Sequence, residues 1–125
     1  MQALPAVVVD YLDAYNRKDV EGMLVHLTDD VAFSNLSGGE VTAQAASKDE
    51  FREMATSAVS AFEVRRQIVT NAITVGDTTA VQIDYSAKVA ADLPNGWRKG
   101  DELSLSGSSL FRLREGKIAS IVDAS

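Results

Sequence analysis

Apolar residues at the start of the chain recur at the spacing of an α-helix. Between Pro5 and Asn16 they stand three to four positions apart, which puts them on one helical face, and a proline suits the first helical turn. Asp19 then suits the N-cap of a short second helix over residues 20–27. This part of the chain is therefore predicted to form two helices in succession.

A short strand and a third helix are predicted next. Residues 31–34 (VAFS) favour the strand, and residues 37–39 (SGG) favour a turn after it. Ser47 and Glu50 have the spacing of a capping box, in which each side chain caps a backbone N–H of the first helical turn. We therefore expect the third helix to start here and to run over residues 48–62.

The second half of the chain changes period. From residue 64 onward β-branched residues are frequent and apolar positions alternate with polar ones, as in strands that bury one face. Turns rich in glycine divide this half into about four long strands. Three helices on one face of a curved antiparallel sheet make an α+β domain shaped like a cone. We expect one such domain over residues 1–125.

Composition supports one compact domain and disfavours several kinds of partner. Of the 125 residues, 46% are hydrophobic and 24% are charged, which is enough for a single core. The net charge of −6 disfavours nucleic acid, and there is no basic run that would bind a membrane surface. Cysteine is absent and His26 is the lone histidine, so we expect no disulfide, no metal site and no cofactor.

The N-terminal apolar run also disfavours a targeting segment. Asp10 and Asp13 interrupt it, and no basic segment precedes it. Neither a signal peptide nor a membrane-spanning helix has this pattern. We therefore expect a cytoplasmic protein.

Two stretches of the chain resemble a known superfamily. YLDAYNRKDVEGMLVHLTDDVAFSN (residues 11–35) and SLFRLREGKIASI (residues 109–121), with the order of the elements, are similar to the nuclear transport factor 2-like superfamily. The branches that they resemble most are the SnoaL-like polyketide cyclases and the ketosteroid isomerases. The resemblance implies a cystatin-like curved sheet packed on three helices, with an apolar pocket for a small organic molecule. This fold hosts enzymes and non-catalytic binders alike, so it leaves the activity open.

The ketosteroid isomerase reaction needs a carboxylate base and two hydrogen-bond donors to the substrate oxygen. By resemblance, Tyr11 matches one donor, Asn35 stands at the position of the base, and Ser109 stands at the position of the second donor. An amide cannot accept a proton at neutral pH, so the standard isomerisation is disfavoured. Asn35 and Ser109 remain possible hydrogen-bond partners of a ligand.

Asp123 is the candidate for a relocated base. If Ser109 points into the cone, alternation also turns Phe111 inward, and the resemblance turns Ile121 and Asp123 inward, with Ile118 on the opposite face. Burial against an apolar wall raises the pKa of a carboxyl toward values useful in acid–base catalysis. SnoaL-like cyclases are similar in placing a working aspartate late in the sheet. The alternative is that Asp123, so near the end of the sequence, is simply solvated.

The other predicted ligand-binding residues are mostly aromatic or apolar. They are Tyr15, Phe33, Tyr85, Trp97, Phe111 and Ile121. Tyr15 follows Tyr11 by one helical turn and is either a pocket residue or a core residue. Trp97 lies in a hairpin tip, where it either caps the pocket mouth or packs at a subunit contact. Arg65 and Arg66 are consecutive in one strand, so at most one of them faces the cone.

The outward face of the strand over residues 102–115 predicts a partner. Ser104, Ser106 and Ser108 lie on it, and such small polar side chains permit close approach of two sheets. The resemblance implies a homodimer through this face, which would be symmetric.

Two functions therefore stay open. In the first, the pocket binds a carbonyl compound, polyketide-like or steroid-like, and catalyses a proton transfer of the isomerase, cyclase or dehydratase kind. Tyr11 would orient a substrate oxygen and Asp123 would act as the acid or base. In the second, the chain is a non-catalytic module that binds a metabolite or a partner, which Asn35 and Ser109 favour. The position and the titration of Asp123 separate the two.

Overall fold

In the computed structural model, which describes residues 3–125, three helices cover a curved sheet. The helices are α1 (Ala6–Asn16), α2 (Val20–Leu24) and α3 (Lys48–Ala61). Asp19 Oδ1 accepts a hydrogen bond from the Gly22 N–H at 2.9 Å, and Ser47 Oγ accepts one from the Glu50 N–H at 3.2 Å. Both predicted N-caps are therefore confirmed.

Six strands form the sheet. They are β1 (Leu27–Ser37), β2 (Glu40–Ala45), β3 (Phe62–Val75), β4 (Thr78–Val89), β5 (Glu102–Arg114) and β6 (Lys117–Ala124). The strands lie in the order β2-β1-β6-β5-β4-β3, with β1 parallel to β6 and every other pair antiparallel. The predicted α+β class is confirmed. Within residues 3–125, no helix has the length and apolar character needed to cross a membrane.

The first correction concerns the end of the second helix. Apolar spacing assigned Leu27 to this helix, whereas α2 ends at Leu24 and Leu27 begins β1. Leu27 is fully buried and stands opposite Ile118 of β6. The backbone N–H of Ile118 also donates to the carbonyl of His26 at 2.8 Å. Pairing with a strand at the other end of the chain thus overrides a local helical pattern.

The second correction concerns β2, which the sequence did not predict. The predicted turn is present, with Gly38 and Gly39 at φ values of 59° and 83°. Both values lie in the left-handed region that glycine adopts without strain. The turn sends the chain back along β1 as a sixth strand, whose residues are mostly exposed. An exposed edge strand carries little apolar alternation, which is why the pattern missed it.

The third correction concerns Ile118, which alternation from Ile121 assigned to the outer face. Ile118 is fully buried in the core. The register of β5 and β6 shifts between Arg112 and Leu113, so that Ser120 and Ile118 stand opposite consecutive residues of β5. This bulge reverses the parity of the strand and returns Ile118 to the inner face.

Along β4 and the second half of β5 the predicted alternation holds. Val81, Ile83 and Ala87 of β4 are buried on the inner face, and Ser109 and Phe111 of β5 are buried beside them. Ser104, Ser106, Ser108, Leu110 and Arg112 are exposed on the outer face, as predicted. The core fills the space between the inner face and the helices and leaves one end open.

The bulge in β6 makes a testable difference. Ile118→Ala should lower the free energy of unfolding by about 2–5 kcal/mol, because it leaves a cavity in a packed core. Val75→Ala is the matched control, since Val75 is 72% exposed and surface substitutions change stability by about 0.5 kcal/mol. Urea unfolding followed by circular dichroism measures both. Equal small effects would place Ile118 on the outer face after all.

Candidate functional site

A cavity of about 360 Å³ lies between the inner face of the sheet and helices α1 and α3. Its wall is mainly apolar, and its polar side chains come from different strands. These side chains are Asn35, Arg65, Gln67, Ser109 and Asp123, with the hydroxyl-bearing rings Tyr11, Tyr15 and Tyr85. A mostly apolar cavity of this size with a few convergent polar groups is typical of a small-molecule site.

Asp123 stands at the centre of this polar group. It lies on β6 directly between Asn35 of β1 and Ser109 of β5. Ser109 Oγ donates a hydrogen bond to Asp123 Oδ1 at 2.6 Å. The structure therefore brings together three of the residues that the sequence singled out, from positions far apart in the chain.

The environment of Asp123 changes its titration. Burial raises the pKa of the Asp123 carboxyl from 3.8 to about 6, and the hydrogen bond from Ser109 lowers it in part. Burial dominates because the wall around the carboxylate offers few groups that replace lost water. The residue is partly accessible, since the cavity itself reaches it. Asp123 can therefore change its protonation state close to neutral pH.

Tyr11 enters the cavity from α1. It is 3% exposed, and its ring packs edge-on against Phe111 with centroids 6.0 Å apart. Burial raises the pKa of the Tyr11 hydroxyl well above its usual value, and the charge of Asp123 raises it further. The hydroxyl is therefore protonated at neutral pH and can only donate to an anion. Within residues 3–125 no hydrogen bond engages it.

Asn35 lies beside Asp123, but the two side chains are not hydrogen-bonded to each other in the described part of the chain. Asn35 Nδ2 instead donates to Thr42 Oγ1 of β2 at 2.8 Å. The unpredicted edge strand therefore fixes the amide. Asn35 forms part of the cavity wall with one of its two polar atoms already engaged.

A second polar group involves two tyrosines. The Tyr15 hydroxyl donates to the Tyr85 hydroxyl at 3.4 Å, a long hydrogen bond. Burial raises the pKa of Tyr85 far above its usual value. The Arg65 guanidinium lies 3.7 Å from the centroid of the Tyr15 ring. Tyr15 thus combines a cavity position with a packing contact.

Arg65 is a charged cavity residue that was not among the predicted ligand-binding residues. Its position in the consecutive pair Arg65–Arg66 was the available signal, because at most one arginine of such a pair can face inward. The structure turns Arg65 inward at 5% exposure and leaves Arg66 exposed. Gln67, two residues further, also reaches the cavity wall.

The remaining predicted residues occupy different places. Phe33 and Trp97 line the cavity, and Trp97 packs against Phe62 at the open end with centroids 6.5 Å apart. Phe111 and Ile121 are each 1% exposed and lie in the core behind the cavity wall, where they support Tyr11 and the sheet. They are core residues rather than lining residues.

Within residues 3–125 no three His, Asp or Glu side chains stand close enough together to hold an ion. His26 is half-buried and lies outside the cavity wall.

The sequence and the fold both match known proteins. Residues 8–121 match the sequence model of the SnoaL-like domain. A proposed hydroxylase from Streptomyces galilaeus, AclR, is 19% identical with a TM-score of 0.75, over 94% of this chain and 84% of its own. A protein of ketosteroid isomerase-like fold from Catenulispora acidiphila, in complex with trimethylamine, is 15% identical with a TM-score of 0.79, over 97% and 85%.

A proposed polyketide cyclase from Xanthomonas campestris pv. campestris is 20% identical with a TM-score of 0.73, over 96% of this chain and 87% of its own. At these identities the likeness establishes the fold alone. No curated protein is similar enough in sequence to count as a relative.

The raised pKa of Asp123 predicts a pH-dependent cost to stability. The pKa of Asp123 is higher in the folded state than in the unfolded state. The stability that the protonated carboxyl contributes to the fold is therefore fully present below pH 4. It is lost as the pH rises through about 6. A shift of about two units corresponds to a loss of up to about 3 kcal/mol. Asp123→Asn abolishes this titration.

Between pH 4 and pH 7 the free energy of unfolding of the wild type should therefore fall relative to that of the Asp123→Asn variant. Chemical denaturation at each pH measures this difference, and carbon NMR of the carboxyl gives the pKa directly. In Ser109→Ala the pKa of Asp123 should rise further, because this variant lacks the hydrogen bond that stabilises the ionised carboxylate in the wild type. A wild-type carboxyl that titrates near pH 4 would contradict this account.

Proposed function

Because the chain belongs to the SnoaL-like domain family, we propose that its cavity binds a small organic carbonyl compound and catalyses a proton transfer on it. The observation that carries this proposal is Asp123, a cavity carboxyl with a pKa of about 6 beside an unengaged Tyr11 hydroxyl. A base is most effective when its pKa lies near the working pH. The apolar wall fits a ligand with a hydrocarbon ring or chain.

The chemistry divides between two residues. The Tyr11 hydroxyl donates a hydrogen bond to the carbonyl oxygen of the ligand and stabilises the negative charge that develops there. The Asp123 carboxylate removes a proton from the adjacent carbon, which leaves an enolate held by Tyr11. The protonated Asp123 then returns the proton to another atom of the ligand, so that no external acid is consumed. Ser109 holds the carboxylate in place throughout.

The role of Asn35 separates this chemistry from the standard ketosteroid isomerisation. Its amide has no basic site at neutral pH, and Thr42 already engages its Nδ2. Asn35 lines the cavity, and its side-chain carbonyl oxygen can accept a hydrogen bond from the ligand. The proton-transfer role therefore rests on Asp123 alone.

A panel of enones and β-keto esters tests the activity. Asp123→Asn should lower kcat by roughly a hundredfold to ten-thousandfold, the usual contribution of a general base. Tyr11→Phe should lower kcat and kcat/KM together, because its hydrogen bond strengthens as the enolate forms. In the wild type, log kcat/KM should rise with pH and level off above about pH 6, as Asp123 ionises.

Asp10→Asn is the matched control for this experiment, since Asp10 is an exposed carboxylate on the same helix as Tyr11. It should leave every rate unchanged. Turnover that is equal in the wild type and the Asp123→Asn variant would exclude Asp123 as the base.

The rival function is a non-catalytic small-molecule binder, and Asn35 at the isomerase base position favours it. Isothermal calorimetry with the same compounds separates the two. Binding without any turnover, equal in the wild type and the Asp123→Asn variant, would select the binder. The cytoplasmic location expected from the sequence stays a prediction.

A second copy of the chain is the proposed macromolecular partner. The outer face of the sheet also carries exposed apolar side chains, on β3 at Val64 (61% exposed), Ile68 (45%) and Ile73 (55%), and on β5 at Leu110 (41%). Apolar side chains on a face of small polar residues favour the packing of one sheet on another. The symmetric homodimer expected from the sequence is proposed on this face.

Light scattering at micromolar concentration should give the mass of two chains. Leu110→Arg should shift it toward one chain, because the charge would be buried at the contact without a partner. Val25→Arg is the control, since Val25 is 61% exposed at the end of α2 and away from this face. A wild type that scatters as a single chain at this concentration would contradict the proposal.

A further inference from the structure

Arg65 is a buried cation without a buried anion. It lies on the inner face of β3, opposite Ala87 of β4, and is 5% exposed. It nevertheless forms part of the cavity wall. Arg66, its neighbour in sequence, is exposed on the other face. The chain therefore places one arginine of the pair in water and the other in the apolar interior.

The protein provides hydrogen-bond acceptors for only some of the N–H groups of this guanidinium. Arg65 Nε donates to the carbonyl of Tyr15 at 3.1 Å. Nη2 reaches Met23 Sδ at 3.9 Å, and a thioether is a weak acceptor. No Asp or Glu between residues 3 and 125 forms an ion pair with Arg65. One strong acceptor thus serves a group that carries five N–H donors.

The contacts of Arg65 with the end of α1 explain its burial only in part. Tyr15 lies in the last turn of α1, where a cation near the unpaired carbonyls is favourable. The ring of Tyr15 adds a cation–π contact to the guanidinium at 3.7 Å. These contacts engage Nε and one face of the guanidinium plane. The N–H groups at the far end of the side chain remain without an oxygen acceptor.

The unengaged N–H groups are open to the cavity rather than sealed in the core. Within residues 3–125, Thr28 Oγ1 is the one side-chain nitrogen or oxygen atom that is itself fully enclosed and unpartnered, so the unengaged nitrogen of Arg65 is not sealed in the core. Arg65 is almost fully shielded from bulk solvent, so the surface that its nitrogens retain faces the cavity. A ligand in the cavity can therefore reach them.

Asp123 is not the missing counter-ion. Burial raises the pKa of its carboxyl, whereas a nearby guanidinium would lower it. The Tyr11 hydroxyl interacts with both charges, since Asp123 raises its pKa and Arg65 lowers it. The cavity therefore has a cationic region at Arg65 and an acid–base region at Asp123, and Tyr11 lies within electrostatic range of both.

We propose that Arg65 binds a carboxylate group of the ligand, so that the cavity selects a small apolar carboxylic acid. The inference rests on the proposed function of the cavity and names its substrate class. A planar guanidinium matches a carboxylate in shape and in its two parallel hydrogen bonds. A single cation balances one negative charge, which suits a carboxylate better than a phosphate dianion. The carbonyl to be activated lies at the other region, beside Tyr11 and Asp123.

The test compares acids with their neutral amides. Cyclohexanecarboxylate and adamantane-1-carboxylate are each titrated against the matching carboxamide, which has the same shape and no charge. Trp97 is the sole tryptophan of the chain and lines the cavity, so its fluorescence reports occupancy without a label. These probes do not absorb at the wavelengths used, and calorimetry confirms each Kd.

The wild type should bind each acid at least tenfold more tightly than its amide. Arg65→Gln should abolish this preference by weakening the acid about tenfold or more while the amide is unchanged, as expected for lost charged hydrogen bonds. Arg66→Gln is the matched control and should keep the preference, because Arg66 lies on the outer face. Arg65→Lys keeps the charge without the planar fork and should give an intermediate preference.

Several results would overturn the proposal. They are equal binding of acids and amides by the wild type, failure of every acid to bind, or a preference that survives in Arg65→Gln. If Arg65→Gln does not fold by circular dichroism, the wild-type preference and the Arg65→Lys variant decide. Turnover of neutral carbonyl compounds that depends on Asp123, with no preference for acids, would retain the proposed function and reject this inference. Acid binding through Arg65 without turnover would retain this inference and reject the proposed catalytic function.

Discussion

The parallel pairing of β1 with β6 is the constraint on which the site depends. It places the last strand of the sheet in the middle, between the first strand and β5. In this register Asp123 has Asn35 on one side and Ser109 on the other. The carboxyl therefore stands on the inner wall of the sheet rather than at a solvated strand end. Its raised pKa and its place in the cavity follow from this pairing, and its hydrogen bond follows from the pairing of β6 with β5 on the other side.

The same pairing explains what the sequence could predict. The helix caps at Asp19 and Ser47 and the alternation along β4 and β5 are local features, and the residues that carry them are neighbours in the chain. The α+β class followed from such features, whereas the family followed from the resemblance of residues 11–35 and 109–121 to a known superfamily. The start of β1 at Leu27 could not be predicted, because the partner that converts it to a strand is Ile118. The reversed parity of Ile118 depends on a bulge for which the sequence carries no mark.

Prediction of the site shows the same division. Alternation and resemblance together indicated Tyr11, Asn35, Ser109 and Asp123, and the structure brings all four to one cavity. What they could not indicate was which inward residues reach the cavity and which lie behind its wall. Phe111 fills the core, whereas Arg65 reaches open space. That difference depends on how closely the helices pack over each part of the sheet, which is a property of the whole fold and not of a local stretch of sequence.

The cavity concentrates the costs of the fold in one place. Asp123 loses hydration, and Arg65 is buried with a single strong acceptor. In a core selected for stability alone, apolar residues of similar volume would serve as well at both positions. Polar groups that lower the stability of the empty protein are typical of sites that regain the energy on binding a ligand. Their joint presence on one apolar wall therefore argues for a ligand rather than for a purely structural domain.

If Asp123 is the base, as proposed, the arrangement also explains how the base can stand on another strand without loss of the site. Asn35 and Asp123 are paired residues of neighbouring parallel strands, and both reach the same cavity. Neighbouring strands lie about 4.8 Å apart, so a carboxylate on either strand serves nearly the same point in space. Tyr11 approaches from α1, which packs against β6 and β3, and it lines the same cavity as Asn35 and Asp123. The fold thus fixes the donor and the cavity while the sheet offers alternative positions for the base. Under the proposed function, Asn35 occupies the position that the resemblance assigns to the base, and the hydrogen bond from Ser109 holds Asp123 beside it.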